Sequence, residues 1–121
     1  MHAKDVGRAG ESLAREYLVS IGYEILGFNL RLGRGEIDIL ARDEDALVVV
    51  EVKTRRSCSF GRPEEQLPAS KIRTLRGLAA RVAWAHPGAT VRVDIIAVTV
   101  GRECGDSISS ADILHLRGVD V

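Results

Sequence analysis

The chain has 121 residues, 45% of them hydrophobic, a length that suits one domain with a single core. Its 17 basic and 17 acidic side chains cancel, which excludes histone-like binding of nucleic acid by bulk charge, and no apolar run approaches the ~18–20 residues of a membrane helix. Cys58 and Cys104 lie far apart, with no Cys or His at metal-ligand spacing, and no signal-peptide core follows Met1. A zinc site or disulfide framework is therefore not expected, and the chain reads as a cytoplasmic protein with two free thiols.

Residues 4–21 read as a helix. Val6, Ala9, Gly10, Leu13, Ala14, Tyr17, Leu18 and Ile21 recur at spacings of three and four, and Gly22 follows as a C-terminal stop. Residues 23–30 read as a strand, and the two glycines of residues 31–35 mark a loop. Glu36 to Val52 reads as a hairpin, with β-branched runs on either side of a polar turn at residues 42–45. Residues 54–67 read as a long loop. Residues 69–85 read as a second helix with a stripe of Ile72, Leu75, Ala79, Val82 and Ala83, ended by Pro87 and Gly88. Residues 91–100 form a strand, 101–110 a loop and 113–116 a last short strand. The order α-β-β-β-α-β-β has helices before and after the hairpin, which predicts an α/β sandwich around a central mixed sheet.

Charge is unevenly spread. Residues 1–52 carry 6 basic and 10 acidic side chains, net −4, whereas residues 53–81 carry 8 basic and 2 acidic, net +6. That basic middle, with Arg55, Arg56, Lys71, Arg73 and Arg76, suits a phosphate backbone but also suits an ordinary solvated helix face. Lys71, Arg73 and Arg76 fall in the first turns of the second helix, and phosphates favour a helix N-terminus.

A regular hairpin turn centred between Glu44 and Asp45 pairs positions that sum to 89. It places Ile37, Ile39, Ala41, Val48, Val50 and Val52 on one apolar face. On the other face Asp38 stands opposite Glu51, and Glu36 opposite Lys53. Two carboxylates with Cβ atoms roughly 4.5–5.5 Å apart on otherwise apolar strands need a shared proton or a cation. A divalent ion with oxygen ligands meets that need, and Lys53, on the same face, would serve a water or the pair itself. The plainer alternative is a solvated sheet end with Lys53 paired to Glu36. Glu11, at the margin of the first helix's apolar stripe, is either a further acid of this site or a solvated helix residue. Asp94, inside a strong strand, reads as a structural acid paired with Arg92 or Lys71. Tyr17 and Trp84 read as packing residues, and His2, His86 and His115 receive no role.

Asp38 followed across a hairpin by Glu51-Val52-Lys53 resembles the PD-(D/E)xK nuclease core. More specifically, the chain is similar to the YraN family of endonuclease-like proteins. The resemblance is carried by Gly10-Glu11, Ala14, Tyr17-Leu18, Gly22, residues 35–41, residues 50–55, Phe60-Gly61, Pro63-Glu64, Lys71, Leu75 and Val93-Asp94-Ile95. It implies a restriction-endonuclease-like fold and a Mg- or Mn-dependent endonuclease acting on DNA. Asp38, Glu51 and the Val52 carbonyl would hold the ion, and Lys53 would be the catalytic basic residue. Glu11 would match a helix glutamate of archaeal Holliday-junction resolvases, which also makes branched DNA a candidate substrate and a homodimer a candidate assembly. The superfamily's proline before the aspartate is Ile37 here. A non-catalytic nucleic-acid-binding module and a protein-interaction scaffold are the alternatives.

Overall fold

The structure, a computed structural model, describes residues 3–56, 67–100 and 111–121. The loop expected over 101–110, most of that expected over 54–67, and both cysteines lie outside these residues.

Helix α1 spans Ala3–Ser20, and its apolar repeat buries Val6, Gly10, Ala14 and Leu18. Its end is a Schellman turn. Gly22 takes φ +99°, the Tyr23 N–H donates to the Leu18 carbonyl (2.9 Å) and the Gly22 N–H to that of Val19 (3.1 Å). Tyr23 and Leu18 then meet in the core, so the turn also fixes how the chain enters the sheet.

Strand β1 (Glu24–Leu32) pairs with β2 (Gly35–Asp43). Arg31, Leu32 and Gly35, expected in a loop, belong to strands. A two-residue turn with Gly33 at φ +61° suffices to reverse the chain. Strand β3 (Ala46–Arg56) runs on through residues expected in the long loop, so Arg55 and Arg56 are strand residues too. The pairs Asp43–Ala46, Ala41–Val48 and Ile39–Val50 all sum to the expected 89. Helix α2 (Ala69–Ala85) then connects β3 to its parallel neighbour β4 (Thr90–Val100), and β5 (Ala111–Leu116) lies antiparallel on β4. The mixed sheet has the order β1-β2-β3-β4-β5.

The helices cover opposite faces. Ile39, Ala41, Val48, Val50, Ile96 and Val98 pack under α1, and Leu47, Val49 and Val93 pack under α2 with Leu75, Leu78 and Val82. This is the expected α/β sandwich around a central mixed sheet. The α2 stripe is rotated from expectation, with Leu78 buried and Ala83 exposed. Trp84, expected to pack, is 88% exposed.

Gly10 sets the approach of α1 to the sheet. A Cβ there would overlap the Thr54 side chain. We expect Gly10→Ala to lower stability by about 1–3 kcal/mol despite its better helix propensity, measured by thermal denaturation, because strand and helix must separate to admit it. An unchanged or raised melting temperature would contradict this packing.

Candidate metal and phosphate site

The β2–β3 ladder ends at Ile39–Val50. Beyond it the expected partners Ile37–Val52, Asp38–Glu51 and Glu36–Lys53 do not pair. The Val52 N–H donates instead to Asp38 Oδ2 at 2.8 Å. A carboxylate thus takes the place of a backbone carbonyl. On the other edge of β2 the register to β1 omits Asn29 opposite Asp38, and Asn29 has φ +52°. The backbone is irregular on both sides of the aspartate. One consequence corrects the expected face assignment: Ile37 packs with the α2-side cluster rather than beside Ile39. Period-two alternation fails where the strand turns around Asp38.

The parting strands open a cleft of ≈ 420 Å³. It is lined by Glu11 from α1, Asp38 from β2, Glu51, Val52 and Lys53 from β3, and Lys71 from the first turn of α2. Glu51 is only 6% exposed. Its Oε2 meets Lys71 Nζ at 3.1 Å, and its Oε1 is buried with no hydrogen-bond partner. Burial and the Asp38 charge push the Glu51 carboxyl up to about 8, outweighing Lys71. Glu11 is also raised, first by burial, then by Asp38 and Glu36.

These features fit a hard divalent cation. A buried carboxylate oxygen without a partner is costly, and a cation resting against it removes that cost together with the repulsion from Asp38. N–H and C=O of one strand residue face the same edge, so the Val52 carbonyl faces the gap its amide faces. Among the described residues no three or more His, Cys, Asp or Glu side chains are gathered as an ion cage. The oxygen donors of the cleft suit an ion that keeps water and takes phosphate oxygens, as Mg²⁺ and Mn²⁺ do.

The basic candidates separate. Lys71 lies on the sheet-facing side of α2 against Glu51, whereas Arg73 and Arg76 are exposed on its outer side. Arg55 is partly buried near the end of β3, and the Arg56 side chain lies outside the described residues.

Sequence reasoning reaches only part of a second polar cluster. Asp94, fully buried, accepts from Arg92 Nε (3.0 Å), the Tyr23 hydroxyl (3.0 Å), His115 Nε2 (2.8 Å) and the Gly118 N–H (3.0 Å). The opposite ring nitrogen of His115 meets the Tyr17 hydroxyl at 3.0 Å, and Arg92 reaches on to Asp43 at 2.8 Å. Of the two partners expected for Asp94, Arg92 is present, and Lys71 is instead committed to Glu51. His115 acquires a structural role that no local pattern signals, because its partners stand 21 and 98 positions away.

Comparison with other proteins gives the following. The model of "Uncharacterised protein family UPF0102" matches residues 10–98. A UPF0102 protein of Kineococcus radiotolerans is 43% identical over 98% of this chain and 97% of its own length. One from Acidothermus cellulolyticus is 48% identical over 79% of this chain and 71% of its own. Among solved structures, an EndoMS–dsDNA complex is similar over 69% of this chain and 34% of that one, with 22% identity and a TM-score of 0.48.

Proposed function

The chain belongs to the UPF0102 family, the YraN proteins, and we propose that it is a nuclease that hydrolyses DNA phosphodiester bonds with a divalent cation held at Asp38 and Glu51. The observation that carries this reading is the convergence in one cleft of Asp38, a buried Glu51 with an unpartnered oxygen, and Lys53.

Bound there, Mg²⁺ or Mn²⁺ would neutralise a phosphate and supply a water of lowered pKa. The chain's own residues do the rest. Asp38 is fixed by the Val52 amide, so its second oxygen has a set direction. Glu51, buried and raised, would hold the cation as a carboxylate, its proton released to solvent. Val52 offers its carbonyl to the same gap. Lys53, two residues past Glu51, orients the attacking water and stabilises the charge that builds on the phosphoryl oxygens. Glu11 lines the cleft from the helix side, where its carboxyl is raised by burial and by the Asp38 charge.

The test pairs a binding measurement with cleavage assays on branched, linear duplex and single-stranded DNA. Mn²⁺ should raise the melting temperature of the native protein and of Lys53→Met, but not of Asp38→Asn, since a ligand bound only by the folded state stabilises it. Cleavage should need the metal, stop in EDTA, and fall about 10²–10⁴-fold in Lys53→Met. Equal metal shifts in native protein and Asp38→Asn would remove the site. Salt-sensitive DNA binding without cleavage would make the protein a binding module.

A further inference from the structure

Further along α2, its flank facing the β1–β2 hairpin borders two more depressions, which share Leu32 and Arg81. The first, of ≈ 180 Å³, lies among Arg34, Thr74, Gly77 and Arg81. The second is an apolar groove of ≈ 510 Å³, with Leu30, Ile37 and Leu40 from the sheet and Arg81, Trp84 and Ala85 from the helix. Arg34 and Arg81 border these depressions, no acid lines either of them among the described residues, and α2 itself carries no acid along its whole length. At the far end stands Trp84, the sole tryptophan of the chain, 88% exposed although it borders an apolar groove.

Each part narrows the occupant. Cations without acids select a polyanion. An apolar groove beside an open indole selects flat apolar faces. A duplex keeps its bases stacked on one another, so only an unpaired strand brings both features together. We propose that this groove holds an unpaired strand of nucleic acid, with one base stacked on Trp84, while the same strand or its junction with duplex reaches the carboxylate cleft. At ~1.5 Å per residue, Lys71 and Trp84 lie about 20 Å apart along the helix. That is about six nucleotides at duplex spacing, fewer in a stretched strand. The inference rests on the nuclease reading and narrows its substrate to DNA in which single strand adjoins the point of cleavage.

The sole tryptophan makes the test direct. With EDTA present to prevent cleavage, a single-stranded oligothymidylate should quench the Trp84 emission, and a blunt duplex of similar length should leave it nearly unchanged. Trp84→Ala should bind the oligothymidylate about tenfold more weakly, with the same melting temperature as the native protein. Arg81→Ala should reduce the salt dependence of that binding by about one phosphate contact. Equal affinity of Trp84→Ala and native protein for the oligothymidylate, with Mn²⁺-dependent duplex cleavage intact, overturns the groove and leaves the nuclease reading standing. Quenching with no cleavage of any substrate supports the groove and sinks the nuclease reading. A blue shift of Trp84 emission that grows with protein concentration alone would give the groove to a second copy of the chain and overturn the proposal.

Discussion

Replacing Glu51 by Gln should make the metal-free protein more stable at pH 8 while abolishing the metal-dependent cleavage proposed for it. In the native fold the Glu51 carboxyl is pushed up to about 8 by burial and by Asp38. A carboxyl raised on folding adds no cost while it stays protonated, and folding weakens as pH climbs through the raised value. Native protein without metal should therefore lose stability between about pH 5 and pH 8. The loss is several kcal/mol, because each pH unit over which only the folded state keeps the proton costs about 1.36 kcal/mol. Glu51→Gln keeps the shape, removes the ionisation and escapes that loss. Its melting temperature should match the native value near pH 5 and exceed it by roughly 10–15 °C at pH 8. The same change removes a proposed metal ligand, so the Mn²⁺ shift should vanish and cleavage should fall on the order of 10³-fold or more. Thermal melts across pH, with and without Mn²⁺, check both halves. A variant less stable than native protein at pH 8 would show that Glu51 is a supporting ion-pair partner of Lys71 rather than a strained acid.

Asp94→Leu should prevent stable folding, for a reason unrelated to chemistry at the cleft. The carboxylate is fully buried and accepts from Arg92, Tyr23, His115 and Gly118. Leucine would leave the buried His115 imidazole and Tyr23 hydroxyl without their acceptor and the half-buried Arg92 with Asp43 as its carboxylate partner, and breaking a buried pair from one side costs about 3–5 kcal/mol. Unpaired donors add about 1–3 kcal/mol each, and the sum rivals the ~5–15 kcal/mol that holds a domain together. Asp94→Asn keeps the shape and should lose only the charge-assisted part. Burial raises the Asp94 carboxyl, but hydrogen bonds from His115, Arg92 and the Gly118 N–H outweigh it and hold the group well below the usual carboxylate range. Its stabilisation is complete above the unfolded value near 4 and drains away as pH falls further. Native protein should thus show a steep acid limb below about pH 4 that is shallower in Asp94→Asn, followed by circular dichroism. A folded Asp94→Leu of native stability would mean the cluster is dispensable.

Much of the architecture is legible because its signals are local. The repeats of α1 and α2, the polar turn at Glu44–Asp45 and the β-branched runs beside it specify both helices and the central hairpin. A two-residue turn leaves one register, so the placement of Ile39 against Val50 follows from counting. The same counting fails at Asp38. No feature of residues 36–38 announces that a carboxylate will replace a backbone acceptor, and the switch of Ile37 to the other face follows from that event. The ion pair of Lys71 with Glu51 and the His115–Asp94 contact are not legible because each depends on how distant elements dock. Trp84 misleads for the converse reason: aromatic character predicts burial on average, and nothing in its helix shows that no neighbour arrives to cover it.

The amide of Val52 gives this molecule a natural spectroscopic probe. Its proton is held by a carboxylate oxygen rather than by a neighbouring strand, so its nitrogen–hydrogen resonance responds to whatever next claims Asp38. Titrating Mg²⁺ into isotopically labelled protein should move that one cross-peak early and far, while amides in the middle of the sheet stay still. Cation occupancy can then be followed in solution, atom by atom, without waiting for turnover.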